Sequence, residues 1–410
     1  MPAEIKPQKT EDRLFRALEI MFFITLVASS GQISLRDIAL GLLFIIYLAR
    51  KIYHRDFQLV RTEYHSYILL FFLFSLLSLL KVEDFNQAIH AIITPIFSYI
   101  VFYFMVLEII DIRKIPRYIG YLYGGNLLFL GYGLYLDHFT SQRFFLSGNS
   151  RGTFAGFIVI LSLSLLVTAR GKLYHRFLYG AGFLLGLFAL FSHSRGAILG
   201  FTAGIILWAL LYLAKEFSWK RLIIAAVLLA VIFTSFYSSD AIVSRFDRIM
   251  SYQDDSSITT RLKMWQTSLD LIRENPLLGI GAGNFNPTAL RYVEEVREES
   301  PWSSHHLHPH NLYLQIPLEQ GILSLIIFLI LVGKSYYIAL KNYLFYPEKS
   351  WPFFAALAFM AMLTAILGHS FFDFPLNRTF NGFPLILLAV MNLLYFERRQ
   401  RKANQQDSAK

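Results

Sequence analysis

The sequence predicts an all-α polytopic membrane protein with about twelve transmembrane helices and one long helical loop late in the chain. The 410-residue chain is 55% hydrophobic and 16% charged, whereas soluble domains are nearer 25% charged. Apolar runs of about 17–22 residues recur along its whole length, and each can cross roughly 30 Å of hydrocarbon. Basic residues also collect in alternate connections between these runs, as expected when helices cross a membrane back and forth.

The predicted membrane helices are separated by short polar connections, with one exception. They cover 14–30, 33–49, 64–80, 89–110, 117–136, 152–169, 174–193, 196–214, 221–239, 312–333, 352–369 and 379–396. The exception is the loop 240–311, which separates nine helices in 1–239 from three in 312–397. The tail 398–410 is polar, and we expect it to be mobile. The first polar stretch lacks a small-residue cleavage site, so the first apolar run is expected to be a retained helix.

The distribution of Lys and Arg predicts the orientation. With the N-terminus in the cytoplasm, 25 of the 38 Lys and Arg residues lie in cytoplasmic segments, whereas the short outer connections hold six. Short cytoplasmic loops carry an excess of basic residues, and long translocated loops are exempt from this rule. Both termini are therefore expected in the cytoplasm. The loop 240–311 is expected outside, which is the periplasm for the inner membrane of a Gram-negative cell.

Two helices are predicted within the long loop. The first covers 260–272, because apolar residues recur there at helical spacing, and Asn275–Pro276 ends it. Its apolar positions are Leu262, Trp265, Leu269 and Ile272. The second covers Pro287–Glu298, with the proline in its first turn. The loop would then form a small helical cap on the outer membrane surface.

Composition and orientation exclude several classes of function. The net charge of +10 is explained by basic cytoplasmic loops, so no nucleic-acid partner is expected. The chain has no cysteine, which excludes disulfides and cysteine-ligated metals. An outer loop also lacks a supply of ATP or nicotinamide cofactors. The glycine run at 279–283 has no βαβ unit around it, so we interpret it as a tight turn or close backbone approach.

Four of the eleven histidines lie within six residues at the end of the long loop, at His305, His306, His308 and His310. Asn311 is a candidate N-cap for the next helix, which places His310 at the positive end of the helix dipole. A neutral imidazole there can act as a general base, although an interfacial histidine that only binds water has the same spacing. The cluster has zinc-ligand chemistry, but no carboxylate or cysteine stands at a regular ligand spacing, so no metal is expected.

Arginines on the predicted outer side are candidates for binding an anionic substrate, because guanidinium binds phosphate through paired hydrogen bonds. Arg195 stands between two apolar runs, where a charge close to hydrocarbon is costly. Arg261 opens the first loop helix, where a positive charge conflicts with the helix dipole. Arg143, Arg151 and Arg378 lie at other outer turns, where snorkelling to the interface explains them equally well. A base with arginines suggests transfer of a group already activated by a phosphate leaving group.

The segment 260–325 resembles the O-antigen ligase and O-antigen polymerase superfamily of bacterial inner-membrane glycosyltransferases. The resemblance rests on Arg261 with Trp265, on Asn275–Phe285, on His308–Asn311 and on Glu319–Gly321. The number of helices and the late outer loop also agree with that family.

The ligases carry a histidine followed by a small polar residue, nine further residues and a glycine. His310, Asn311 and Gly321 match this motif. The family motif usually ends in Gly, Thr or Tyr three residues later, where this chain has Ser324. The periplasmic arginines of the family are matched by Arg195 and Arg261 in position and context.

The resemblance implies a metal-independent, inverting transfer that uses no cofactor. The donor would be a polysaccharide on undecaprenyl pyrophosphate, and the acceptor a sugar hydroxyl of the lipid A–core. His310 would deprotonate this hydroxyl, while Arg195 and Arg261 would hold the pyrophosphate. The further candidates for substrate binding are Asn311, His308, Arg143, Arg151 and Arg378. Because both substrates are lipids, membrane lipids are expected to border the site.

Three other functions have the same overall architecture. A polymerase would use the same chemistry to join one lipid-linked repeat to another. An O-linked protein oligosaccharyltransferase usually carries an additional C-terminal periplasmic region. A transporter would need ionisable residues near the middle of the membrane on broken helices, whereas Glu19, Asp37 and Glu108 form no paired central relay in the predicted arrangement.

Overall fold

The computed structural model describes residues 13–28, 33–58, 60, 62–82, 84–140, 148–168, 173–193, 195–237, 256–285, 308–373 and 382–407. Within these ranges every regular element is helical. The α-helices are α1 (Arg13–Ala28), α2 (Ile33–Tyr53), α3 (His65–Ser78), α4 (Phe85–Pro95), α5 (Phe102–Ile109), α6 (Ile115–Phe139), α7 (Gly148–Thr168), α8 (Leu173–His193), α9 (Arg195–Lys215), α10 (Trp219–Tyr237), α11 (Ser256–Glu274), α12 (Leu312–Gln320), α13 (Ile322–Phe345), α14 (Trp351–His369) and α15 (Gly382–Asp407). Short 3₁₀ turns follow α3 and precede α6.

Each predicted membrane helix overlaps an observed helix, but two of them are interrupted. The run 89–110 contains a π-helical segment, Ile96–Val101, directly after Pro95. Proline lacks the N–H of a regular α-helical turn, and π segments occur where the regular pattern is disturbed. The run 312–333 is broken at Gly321, whose φ of +83° is outside the helical range. The second part, α13, then extends well beyond the predicted end.

Five helices in the described part of the chain are long and apolar enough to cross a membrane. They contain Arg151–Thr168, Leu173–Phe191, Gly196–Lys215, Ile322–Phe345 and Trp351–His369. The all-helical class with several candidate membrane spans is therefore confirmed for the described residues, whereas the number of about twelve spans stays a prediction.

Helix α14 lies in the core and packs closely against α9. Its side chains are buried along most of the helix, from Pro352 to Ile366. Helix α9 approaches through glycines at every fourth position: Gly196, Gly200 and Gly204. A Cβ atom at Gly200 would lie 2.5 Å from the carbonyl oxygen of Ala365. Small residues allow helix backbones to approach this closely, and the contact brings the first turn of α9 beside the end of α14.

Ion pairs join segments that the charge distribution assigns to the cytoplasm. The pairs are Lys51–Glu108, Lys114–Glu19, Arg221–Glu348, Lys334–Glu63 and Arg399–Glu63. Hydrogen bonds join segments assigned to the outer side, including Gln87 with Gly283 and Ser75 with Gln320. Glu19 and Glu108 are thus paired with lysines of cytoplasmic segments. This partition agrees with the predicted alternation of the two sides, and the orientation itself stays a prediction.

The C-terminal tail continues the last helix. Helix α15 continues to Asp407, and its Arg399 pairs with Glu63 while Arg401 pairs with Glu397. The tail directly after Glu397 is therefore helical as far as Asp407, and its mobility stays a prediction.

The first predicted loop helix is confirmed as α11, although its buried face differs. Met264, Ser268 and Leu271 are buried, whereas Leu262 and Leu269 are 47% and 44% exposed. The predicted apolar stripe therefore does not form the contact surface as a whole. Helix α11 ends before Asn275, as expected. The second predicted helix, at 287–298, lies outside the described residues.

Candidate active site

His310 occupies a strained position at the start of α12. Its backbone φ is +49°, in the left-handed region that is uncommon for residues other than glycine. The next residue, Asn311, is the N-cap of α12, and its Oδ1 accepts hydrogen bonds from the N–H groups of Tyr313 at 2.9 Å and Leu314 at 3.3 Å. The predicted cap is confirmed. Such strained positions cluster at functional sites and persist only where surrounding contacts hold them.

Two hydrogen bonds hold this turn against other helices. The indole Nε1–H of Trp265, on α11, donates to the carbonyl oxygen of Pro309 at 2.7 Å. The backbone N–H of Leu312 donates to the carbonyl oxygen of Ser370 at 2.9 Å, directly after α14. The backbone around His310 is therefore fixed from both sides by residues distant in sequence.

His310 pairs with Asp373, a carboxylate that sequence reasoning missed. The Nδ1 atom of His310 lies 3.1 Å from Oδ1 of Asp373. The imidazole is 29% exposed and the carboxylate 13%, so the histidine is the more accessible partner. Asp373 stands just beyond the outer end of an apolar run. That position was the one available signal, since an acidic residue at a membrane boundary is uncommon without a role.

His308 completes a cluster with these two residues. Its Nδ1 accepts a hydrogen bond from the backbone N–H of His310 at 3.2 Å, and the two ring centroids lie 3.7 Å apart. One ligand atom from each of His308, His310 and Asp373 lies within 4.8 Å of the others. The spacing of residues along the sequence gave no carboxylate near the histidines, whereas the fold brings Asp373 to them.

Arg261 is half-buried on α11, one helical turn before Trp265. Because α11 begins at Ser256, Arg261 lies in the second turn, where the conflict with the helix dipole is weaker than expected. Its charge and that of Asp373 both act on His369. His369 is 1% exposed and lies 3.1 Å through Nδ1 from Oγ1 of Thr153. This buried histidine is a second residue that the sequence patterns missed.

Arg195 is the first residue of α9, and the described structure gives the position of its backbone only. A Cβ atom on the next residue, Gly196, would lie 2.8 Å from Cβ of Phe372 and 3.2 Å from Cδ2 of His369. The backbone at Arg195 therefore lies beside the segment that carries Asp373. The start of α9, Arg261 and His310 all meet around the end of α14.

The remaining candidate arginines are not brought into this group by the described contacts. Arg151 is 6% exposed and forms a buried ion pair with Asp137 of α6. Asp137 neutralises the charge of Arg151 within the protein, so we interpret Arg151 as a link between α6 and α7. Arg143 and Arg378 lie outside the described residues.

The glycine run at 279–283 confirms the interpretation as a close backbone approach. Gly279, Gly281 and Gly283 have φ values of +67°, +96° and +73°, which glycine adopts without steric cost. The run interlocks with the break between α12 and α13, because a Cβ atom at Gly321 would lie 1.9 Å from the carbonyl oxygen of Leu277. The glycine of the sequence motif therefore has a packing role.

Glu319 connects the glycine run to α12. Its carboxyl group accepts hydrogen bonds from the side-chain amide of Gln315 and from the backbone N–H of Gly283. Burial raises the pKa of Glu319 from its usual 4.5 to about 7, and the two hydrogen bonds lower the pKa by less. This contact holds the far end of α12, the helix that begins just after His310.

Comparison with known proteins gives consistent similarities over part of the chain. A family model described as O-antigen ligase matches residues 180–329, which contain α9, Arg261, His310 and the glycine run. A protein of Rickettsia felis, named provisionally as a polysaccharide ligase, is 30% identical over 144 residues, 35% of this chain and 35% of its own. A similarly named protein of Rickettsia conorii is 28% identical over 177 residues, 42% of this chain and 41% of its own.

An uncharacterised protein of Haemophilus influenzae is 24% identical over 208 residues, 48% of this chain and 51% of its own. The matched segments thus span between about a third and a half of the relatives' own lengths. The family match covers the segment that contains Arg261 and the strained His310. On these grounds the segment 180–329 of this chain is similar to the O-antigen ligase family.

Proposed function

We propose that this protein transfers O-antigen polysaccharide from undecaprenyl pyrophosphate to a sugar hydroxyl of the lipid A–core. One observation carries the proposal. A strained histidine paired with a carboxylate lies beside Arg261 and the start of α9, within the segment that matches the ligase family. The chemistry requires no metal and no cofactor, because a base and an anion-binding group suffice for displacement of a pyrophosphate.

His310 acts as the general base. Asp373 accepts a hydrogen bond from the Nδ1–H of the neutral imidazole, which leaves the lone pair of Nε2 free for the acceptor hydroxyl. The carboxylate also stabilises the imidazolium that forms when the proton arrives. A positioned base of this kind typically contributes about 10²–10⁴-fold to the rate.

Arg261 and Arg195 bind the pyrophosphate of the donor. The acceptor oxygen loses its proton to His310 and attacks the anomeric carbon, while the bond from that carbon to the pyrophosphate oxygen breaks. The bonding electrons leave with undecaprenyl pyrophosphate, whose negative charge the two guanidinium groups stabilise. A single displacement on the face opposite the leaving group inverts the anomeric centre.

The site works at the outer surface of the inner membrane, with both chain termini in the cytoplasm. The separation of outer and cytoplasmic contacts into two sets supports this orientation. Both substrates are lipids, so they reach the site from the bilayer and expose only their head groups to the catalytic residues. Asn311 and His308 border the base and are further candidates for substrate contact, as are Arg143 and Arg378, whereas the buried ion pair with Asp137 removes Arg151 from this group.

The decisive experiment separates a ligase from a polymerase. Purified protein is incubated with lipid-linked glycan together with either lipid A–core or a second lipid-linked glycan, and the products are separated by size and by acceptor. We expect glycan on the lipid A–core. Elongation of lipid-linked glycan alone would identify a polymerase, and the absence of both products would contradict the proposal.

A further inference from the structure

The cluster of His308, His310 and Asp373 has the ligand chemistry of a zinc site. Two imidazoles and one carboxylate lie with one ligand atom each inside 4.8 Å, and such nitrogen and oxygen donors bind zinc. All three side chains are half-buried and keep part of their surface exposed, so an ion can reach them. The proposed transfer uses His310 and Asp373 and gives the imidazole of His308 no chemical step.

The geometry of the pair is close to that of two zinc ligands. Zinc binds histidine nitrogen at about 2.0–2.1 Å and carboxylate oxygen at about 2.0–2.2 Å, so two ligands of a tetrahedral site lie about 3.4 Å apart. The Nδ1 atom of His310 and Oδ1 of Asp373 are 3.1 Å apart. A zinc ion can therefore replace the proton between them after a shift of a few tenths of an ångström. His308 has to move further to close the site.

We propose that Zn²⁺ binds this cluster and reversibly inhibits the protein. Inhibition follows from which nitrogen of the His310 imidazole carries its one proton. A neutral imidazole has one N–H group and one lone pair. When Nδ1 of His310 binds zinc, the proton of the ring sits on Nε2, which then has no lone pair to accept a proton from the acceptor hydroxyl. The inhibition rests on the proposed function, whereas zinc binding does not.

The ligand types also select the metal. Imidazole nitrogen favours zinc and related transition metals, whereas Mg²⁺ and Ca²⁺ prefer oxygen ligands. With two of the three ligands being histidines, Mg²⁺ should neither occupy the cluster nor inhibit. The charge of Arg261, which acts at the same end of α14, opposes any cation and keeps zinc binding reversible.

The test measures zinc binding and inhibition separately. Chelator-treated, purified protein in detergent is titrated with ZnCl₂ by calorimetry and by competition with a zinc indicator, and MgCl₂ serves as the control ion. We expect one zinc per chain, with His308→Ala, His310→Ala and Asp373→Ala each weakening binding at least about tenfold. His175→Ala is the matched control, since this histidine stacks on Tyr179 of α8, away from the cluster.

Activity assays complete the test. Zinc should stop glycan transfer by the wild-type protein, and EDTA should restore it. The His308→Ala variant should need at least about ten times more zinc for half-inhibition. Unchanged zinc binding in all three variants, or binding lost only in His305→Ala and His306→Ala, would overturn the site. If zinc binds as described but the wild type transfers no glycan, the proposed function fails and the site stands. If the wild type transfers glycan but binds no zinc, the zinc site fails and the proposed function stands.

Discussion

The Nδ1 atom of His310 and the Oδ1 atom of Asp373 lie 3.1 Å apart although 63 positions separate the two residues. One residue precedes α12 and the other follows α14. The hydrogen bond between the N–H of Leu312 and the carbonyl oxygen of Ser370 joins the same two segments. The pair therefore depends on helix packing, and it places a carboxylate behind the candidate base.

Replacing His310 by alanine removes the proposed base. We expect His310→Ala to lower the rate of glycan transfer by about 10²–10⁴-fold or more, with normal amounts of protein in the membrane. His175→Ala is the control, and it should transfer glycan at the wild-type rate. Transfer by His310→Ala within a few-fold of the wild type would remove His310 from the mechanism.

Replacing Asp373 by asparagine tests whether the carboxylate positions the base. An amide can donate to Nδ1 and hold the ring with its proton on Nε2, which is the wrong tautomer for a base. We expect kcat to fall by at least about 10²-fold with little change in KM for the acceptor. Asp373→Glu should recover part of the loss. Asp270→Asn, on the exposed part of α11, is the control, and an equal effect of both asparagine variants would argue for general destabilisation.

Replacing Arg261 by lysine keeps the charge and removes the planar pair of donors. We expect at least about a tenfold loss of kcat/KM for the lipid-linked donor, because a point charge cannot bind pyrophosphate through two parallel hydrogen bonds. Arg273→Lys, at an exposed position of the same helix, is the matched control. Wild-type kinetics for Arg261→Lys would assign this arginine a purely structural role.

Replacing Gly321 by alanine tests the break between α12 and α13. The added Cβ atom would lie 1.9 Å from the carbonyl oxygen of Leu277, at a φ of +83°. We expect a destabilisation of more than about 2 kcal/mol, seen as a lower Tm in detergent. In Gly333→Ala, within α13, the new Cβ meets nothing within 4 Å. That variant should unfold at the wild-type temperature or above, and equal effects of the two substitutions would contradict the packing argument.

Glu319 should make the stability depend on pH. Its pKa is raised to about 7 in the folded protein from 4.5, so the folded state holds this proton more tightly than the unfolded state does. The contribution of the bound proton is fully present below about pH 4.5 and is lost as the pH rises through 7, by up to about 3 kcal/mol. Glu319→Gln, which stays neutral, should therefore gain stability relative to the wild type between pH 5 and pH 8. Thermal unfolding of both proteins across this range measures the difference, and a constant difference would show that Glu319 does not titrate there.

Local patterns in the sequence were sufficient for several features. Apolar runs predicted the helices, since each run reports its own length and hydrophobicity. The cap at Asn311 and the end of α11 before Asn275 were also predicted, because capping and proline effects act within a few residues. Where a predicted helix is interrupted, the cause is a local backbone feature that the pattern of apolar residues does not report. Examples are the π segment after Pro95 and the break at Gly321.

The amino-acid sequence predicts the helical class, the helix positions, the base candidate at His310 and the arginines that could bind an anion. Which of these residues meet depends on how the helices pack. The pairing of His310 with Asp373, the place of buried His369, and the approach of the start of α9 to the end of α14 all arise from contacts between helices distant in sequence. Such contacts depend on the fit of whole helix faces, including the glycines of α9, and no spacing within one segment encodes that fit.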